Sequence, residues 1–180
     1  MKRESFLKNF IGLSFLPLVG TAKGEEKEAL RFKKEFLEAW KRSEIVTLEV
    51  YNQMPDTRLG FKYEKDAFTF QGQFVHCINF TSGQISGRFS VADPYEKPIL
   101  WNKLSKAEMA NEIKQFYAWI AKVVNECPTK KLFENDDFAG ETIPKWRMFY
   151  ALENHIIHHR GQAVCYLRLS GVTPEGYYGW

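Results

Sequence analysis

The sequence predicts an all-α domain, an antiparallel bundle of four long helices. Three features point there. Apolar side chains recur every three or four residues through four long stretches, clusters of proline, glycine and polar residues separate those stretches, and no segment carries a clear strand signal. The 180 residues suffice for one domain with a substantial core, and a hydrophobic content of 44% excludes a disordered chain.

The first helix is predicted over 25–53, where Leu30, Phe32, Phe36, Trp40, Val46, Leu48 and Val50 stand among Lys and Glu with no Gly or Pro. Met54-Pro55-Asp56 ends it, and 60–65 reads as a connector. The second is predicted over 66–89 on Phe68, Phe70, Phe74, Val75, Ile78, Phe80 and Ile85. Its Phe and Thr content would suit a strand, but its length would not. Gly72, Gly83 and Gly87 lower its helix propensity while offering a close approach to a neighbouring helix. Pro94 and Pro98 mark a loop, after which Ser105-Lys106-Ala107-Glu108 has the form of a capping box. The third helix follows over 105–126, with Met109, Ile113, Phe116, Tyr117, Ile120 and Val124 on one face, until Cys127-Pro128 stops it. Residues 129–141 are polar and read as a surface loop. The fourth helix is predicted over 143–169, with Pro144 in its first turn and Gly171 and Pro174 past its end.

Residues 1–24 have the layout of a secretory signal peptide: Lys2, Arg3 and Lys8, an apolar run over 10–20, then Thr21-Ala22-Lys23-Gly24 with cleavage expected after Ala22 or Gly24. This divides the chain into a signal at 1–24 and a domain at 25–180. It places the mature protein in the periplasm, or in the cytoplasm if the segment is retained. The apolar run is too short to span a bilayer. Lys2, Arg3 and Lys8 against Glu4 carry two of the three net positive charges, so the mature domain is near neutral and gives no case for a nucleic-acid partner. Lys130-Lys131 reads as a solvated pair. Cys77, Cys127 and Cys165 are too few for a disulfide framework and form no C-x-x-C; Cys77 and Cys165 read as buried small hydrophobes.

All four histidines fall in two predicted helices, His76 in the second and His155, His158 and His159 in the fourth. His155 and His159 are four residues apart, so they project from one face about 6 Å apart and can share one metal ion. Their face continues through Met148, Leu152, Gln162 and Tyr166, a stripe expected to point into the core. Burying an unpaired polar group costs about 1 to 3 kcal/mol, which coordination to a cation would offset. His76 shares a face with Gln73 and Phe80 and could supply a third nitrogen, leaving a coordination position open. Each histidine could equally be satisfied by ordinary hydrogen bonds. Ile156, Ile157 and His158 separate the pair, so the Glu of a metalloprotease H-E-x-x-H is missing. His158 lies about 100° from His159 and is expected to flank the site.

The run His155-Ile156-Ile157-His158-His159-Arg160-Gly161-Gln162, followed by Tyr166-Leu167-Arg168-Leu169-Ser170-Gly171-Val172-Thr173-Pro174, resembles the DinB-like family of metal-binding four-helix proteins. Met54-Pro55, Thr69-Phe70 and the position of His76 support the likeness, which covers about 30–180. The resemblance implies that His76, His155 and His159 hold a divalent metal, zinc or nickel, often in a homodimer. Some such relatives are S-transferases using a low-molecular-weight thiol. Arg160, Gly161 and Gln162 match the remaining motif positions; a structural reading gives Gly161 to close helix packing and Arg160 and Gln162 to hydrogen bonds at the bundle seam.

Two function classes follow. One is a metal-dependent enzyme acting on a small molecule, of hydrolase or thiol S-transferase type, although Gln73, Asn79 and Gln162 are amides that orient a ligand without taking its proton. Export would remove the protein from the cytosolic thiol pool and so weighs against the S-transferase. The other is a non-catalytic metal or ligand binder whose ion stabilises the helices.

Overall fold

The computed structural model describes residues 22–176. Its long helices are α1 (Ala22–Gln53), α2 (Phe70–Phe89), α3 (Lys106–Glu126) and α5 (Lys145–Leu169); a short helix α4 (Thr129–Phe133) and a hairpin of β1 (Asn135–Phe138) and β2 (Glu141–Pro144) stand between the last two. The apolar run of the expected signal lies outside the described residues, and Ala22 and Gly24 belong to the first turn of α1. No described helix is long and apolar enough to cross a membrane.

α1 buries Phe36, Trp40, Ser43, Thr47, Val50 and Tyr51, a stripe at three- and four-residue spacing that faces α3 and α5. Thr69 caps α2 by accepting from the Gly72 N–H at 2.9 Å, and the Ser105–Glu108 capping box at the start of α3 is formed as the sequence predicts. α5 ends where Gly171 takes φ 77°, which lets the Val172 N–H reach the Leu167 carbonyl at 2.9 Å.

The helices form a four-cornered bundle in which α1 and α2 occupy one diagonal and α3 and α5 the other. Lys33, early in α1, donates to carbonyls of Asn125 and Cys127 at the end of α3, so these two helices are antiparallel. Tyr166 reaches the residues before α2 while Phe89 meets Phe149, so α2 and α5 are antiparallel as well. Phe32 lies against Trp146 and Tyr150, and α1 and α5 therefore run the same way. The long connections over 54–69 and 90–105 give the chain the reach for this order.

Residues 129–141 hold more structure than a surface loop. The β1–β2 turn places Ala139 at φ 53° and Gly140 at φ 86°, the two left-handed positions of a tight hairpin, and its sequence is Ala-Gly rather than the usual Asn-Gly or Asp-Gly. Ile143 and Pro144 close that hairpin instead of opening α5. Two packing expectations are also corrected. Cys165 is exposed because it precedes the buried Tyr166 and points about 100° away from it, whereas Cys77 is buried as expected. Cβ atoms at Gly83, Gly87 and Gly161 would meet nothing within 4 Å, so these glycines do not mediate close helix contact.

Candidate metal centre

The rotation of α5 about its own axis decides what its histidines face. Arg160 fixes it: its Nη1 donates to the Ser43 carbonyl at 3.3 Å, Ser43 Oγ at 3.1 Å and Thr47 Oγ1 at 3.2 Å, all on α1. Tyr117 of α3 bonds the same two hydroxyls at 3.2 and 2.9 Å. This three-helix tie is the seam role the sequence suggested for Arg160. Gln162 instead bonds His158 at 2.7 Å on the exposed side of α5, and His158 lies outside the histidine cluster. Asn79 is exposed.

With α5 so held, His155 and His159 meet His76 of α2. The ring centroids lie 4.5, 4.7 and 5.0 Å apart, and one nitrogen from each ring falls within 4.8 Å of the others. His159 is buried, while His76 and His155 are partly exposed. The group contains no carboxylate or thiolate. Phe68, 48% exposed, stacks on His76 at 4.9 Å, and Phe80 lies against both His76 and His155. On its inner side His159 backs onto a void of about 10 Å³ beside Cys77, Tyr117 and Arg160, at the lower limit for one water. A ligand therefore approaches from the outer side, past the two phenylalanines.

A chain of hydrogen bonds fixes which nitrogen of His159 carries its proton. The carbonyl of Phe68 can only accept, so Tyr166 donates to it at 2.6 Å. The hydroxyl then accepts from Gln73 Nε2 at 3.4 Å, which turns Gln73 Oε1 toward His159 Nδ1 at 2.5 Å. Nδ1 must be the donor, and Nε2 is left with a free lone pair. That lone pair faces Nε2 of His155 at 3.1 Å. Nδ1 of His155 is buried without a partner. If His155 carries its proton on Nε2, it bonds His159 but its Nδ1 lone pair is stranded; if on Nδ1, a donor is stranded and two lone pairs oppose one another. A cation between the Nε2 atoms removes the opposition, and zinc–nitrogen distances near 2.0 to 2.1 Å in a tetrahedral site would set the nitrogens about 3.3 Å apart. The donor set fits a divalent metal.

The same surroundings keep the imidazoles neutral, the form that ligates. Burial, followed by the neighbouring His155, His76 and His158, pushes His159 down to about 4. Burial lowers His155, helped by His76 and His158, and burial lowers His76. The unfolded chain takes up protons near pH 6.5, before folded His159 does, so acid favours unfolding through this site. In chelated protein the urea midpoint is expected to fall between pH 6.5 and 5, and a His159→Leu variant should show a flatter dependence; equal slopes for the two proteins would contradict it.

Sequence reasoning found the three histidines and set Gln73 beside His76. It missed Tyr166 as the anchor of Gln73, because Tyr166 looked like one more apolar position on the α5 stripe. It also missed Phe68 as a cover, having counted that residue among the apolar positions of a second helix starting at 66, whereas α2 begins at Phe70.

A model of the DinB family matches residues 27–180. The fold is similar to that of a DinB-like protein from Bacillus cereus, with 23% identity and a TM-score of 0.68 over 81% of this chain and 97% of that one. It is also similar to a DinB-like protein from Bacillus subtilis, with 14% identity and a TM-score of 0.64 over 80% of this chain and 96% of that one. No curated protein sequence matches the chain.

Proposed function

The chain belongs to the DinB family, and from that premise we propose that His76, His155 and His159 hold one divalent cation, zinc or nickel, in a metal-dependent enzyme acting on a small molecule. The observation that carries this reading is the pair of Nε2 atoms 3.1 Å apart, one of them bound to be a lone pair by its hydrogen-bond chain. When bound, the cation would supply Lewis acidity that lowers the pKa of a water or thiol beside it. The protein's own part is positional and electrostatic. Three neutral imidazoles cancel none of the ion's charge, Gln73 and Tyr166 hold the His159 ring in one orientation, and Phe68 and Phe80 limit the water around the approach.

The reaction class we propose is hydrolase or thiol S-transferase. Export through residues 1–24 is part of the proposal and favours the hydrolase, because a periplasmic protein meets few low-molecular-weight thiols. An N-terminus at Lys23 or Glu25 in protein recovered from its native cells supports export, and an intact Met1 overturns it. The alternative is an ion that only joins α2 to α5. It is favoured by the lack of any carboxylate or thiolate in the histidine group to accept a proton. Cobalt substitution separates the two readings. Visible bands that shift as small thiols and anions are added are expected for an open ion; spectra unchanged at saturating ligand would leave the non-catalytic reading. A shift justifies a substrate panel, with His155→Ala as the inactive control.

A further inference from the structure

Across the bundle from the histidines, a cleft of about 320 Å³ opens to solvent between the early turns of α1, α4 and the start of α5. Tyr150 precedes His155 by five residues, about 140° around α5, so this cleft faces α1 rather than α2. Three half-buried rings form its wall. Phe32 and Trp146 lie 6.0 Å apart at 57°, Phe32 and Tyr150 5.8 Å apart at 73°, and Trp146 and Tyr150 6.3 Å apart at 87°. Each ring is steeply tilted to the other two, like the walls of a corner, and each packs on its inner side against the core, Phe32 and Tyr150 on Phe36, while staying partly exposed.

The charged side chains lining the corner leave a net negative charge. Aromatic faces are the negative parts of their quadrupoles. Glu28 and Glu35 stand at the rim, against the single positive charge of Arg31, which is itself paired with Glu35 at 3.1 Å. Burial, and then the carboxylates of Glu35 and Glu153, push the Tyr150 hydroxyl up. Rings about 6 Å apart leave a point roughly 3 Å above their plane that is within about 5 Å of all three centroids, inside cation–π range. A group resting there has aromatic rings on three sides, with the Glu28 and Glu35 carboxylates only at the rim. It is best served by a cation without N–H groups to satisfy. From the three-ring corner with its acidic rim we infer that the cleft binds a methylated ammonium group, independently of the metal centre.

The test uses the full chain and titrates choline and tetramethylammonium against 3,3-dimethylbutan-1-ol, which replaces the choline nitrogen by carbon and so keeps the shape without the charge. Tryptophan emission is followed, with Trp146→Phe to assign the signal and calorimetry to measure binding where that signal is gone. Saturable binding of both cations is expected, with the neutral isostere weaker by about tenfold. Glu35→Gln, an exposed change that leaves the fold alone, should weaken choline by about two- to fivefold, and removal of the metal by a chelator should leave choline binding unchanged. Equal binding of the isostere would reduce the cleft to an apolar groove and overturn the proposal. So would the absence of saturable cation binding in a protein whose circular dichroism is native.

Discussion

Replacing His159 by alanine is expected to abolish stoichiometric metal binding. The wild-type chain, loaded with zinc or nickel and dialysed against a competing chelator, should retain close to one ion, and His159→Ala should lose affinity by more than about 100-fold. His159 is the most buried of the three and the only one whose donor nitrogen is fixed by a chain of hydrogen bonds ending at a backbone carbonyl. His76→Ala and His155→Ala should also fall steeply. His158→Ala should change little, because that ring faces solvent and bonds Gln162. If His158→Ala releases the ion while His159→Ala keeps it, the assignment of the ligands is wrong. Helical circular dichroism of each variant guards against a mere loss of fold.

The second large effect is expected at a residue that touches no metal. Gln73→Leu leaves the packing volume nearly intact but removes the acceptor for His159 Nδ1–H, so the ring can turn or exchange its proton to Nε2, where it blocks ligation. Metal affinity should drop by about 10- to 100-fold. The buried N–H left without a partner should also lower stability by about 1 to 3 kcal/mol, read as a shift in the urea midpoint. Gln73→Glu distinguishes orientation from packing. A carboxylate still accepts from Nδ1–H and should retain most of the affinity; equal losses in Leu and Glu variants would mean that Gln73 serves the fold and not the ligand.

The bundle was legible because periodicity and caps are local. Ser105 and Glu108, three residues apart, announce the start of α3 without reference to any other part of the chain. The α5 stripe was legible for the same reason: Leu152, His159 and Tyr166 repeat at seven residues and are all buried. What stayed hidden depends on which side chains meet across the bundle. The tie from Arg160 to Ser43 and Thr47 joins residues 117 and 113 positions apart, and no spacing in the sequence announces it. The hairpin was hidden for a different reason. Its turn is Ala139-Gly140, and alanine in a left-handed conformation carries a steric cost that sequence reading counts against such a turn. The glycines misled in the opposite direction: Gly83, Gly87 and Gly161 suggest helices in close approach, yet each faces open space.

Phe68 meets the histidine cluster in two ways. Its ring covers His76, and its carbonyl is the terminus from which the direction of every proton as far as His159 is set. It also stands immediately before the cap of α2. Fraying of the first turn of α2 would therefore withdraw the acceptor and the aromatic cover together, releasing two ligands that belong to different helices. Conversely, an ion drawing His76 and His159 toward each other clamps that turn in place. Order at the entrance to α2 and occupancy of the centre are thus two faces of one cooperative unit, with residue 68 as its latch.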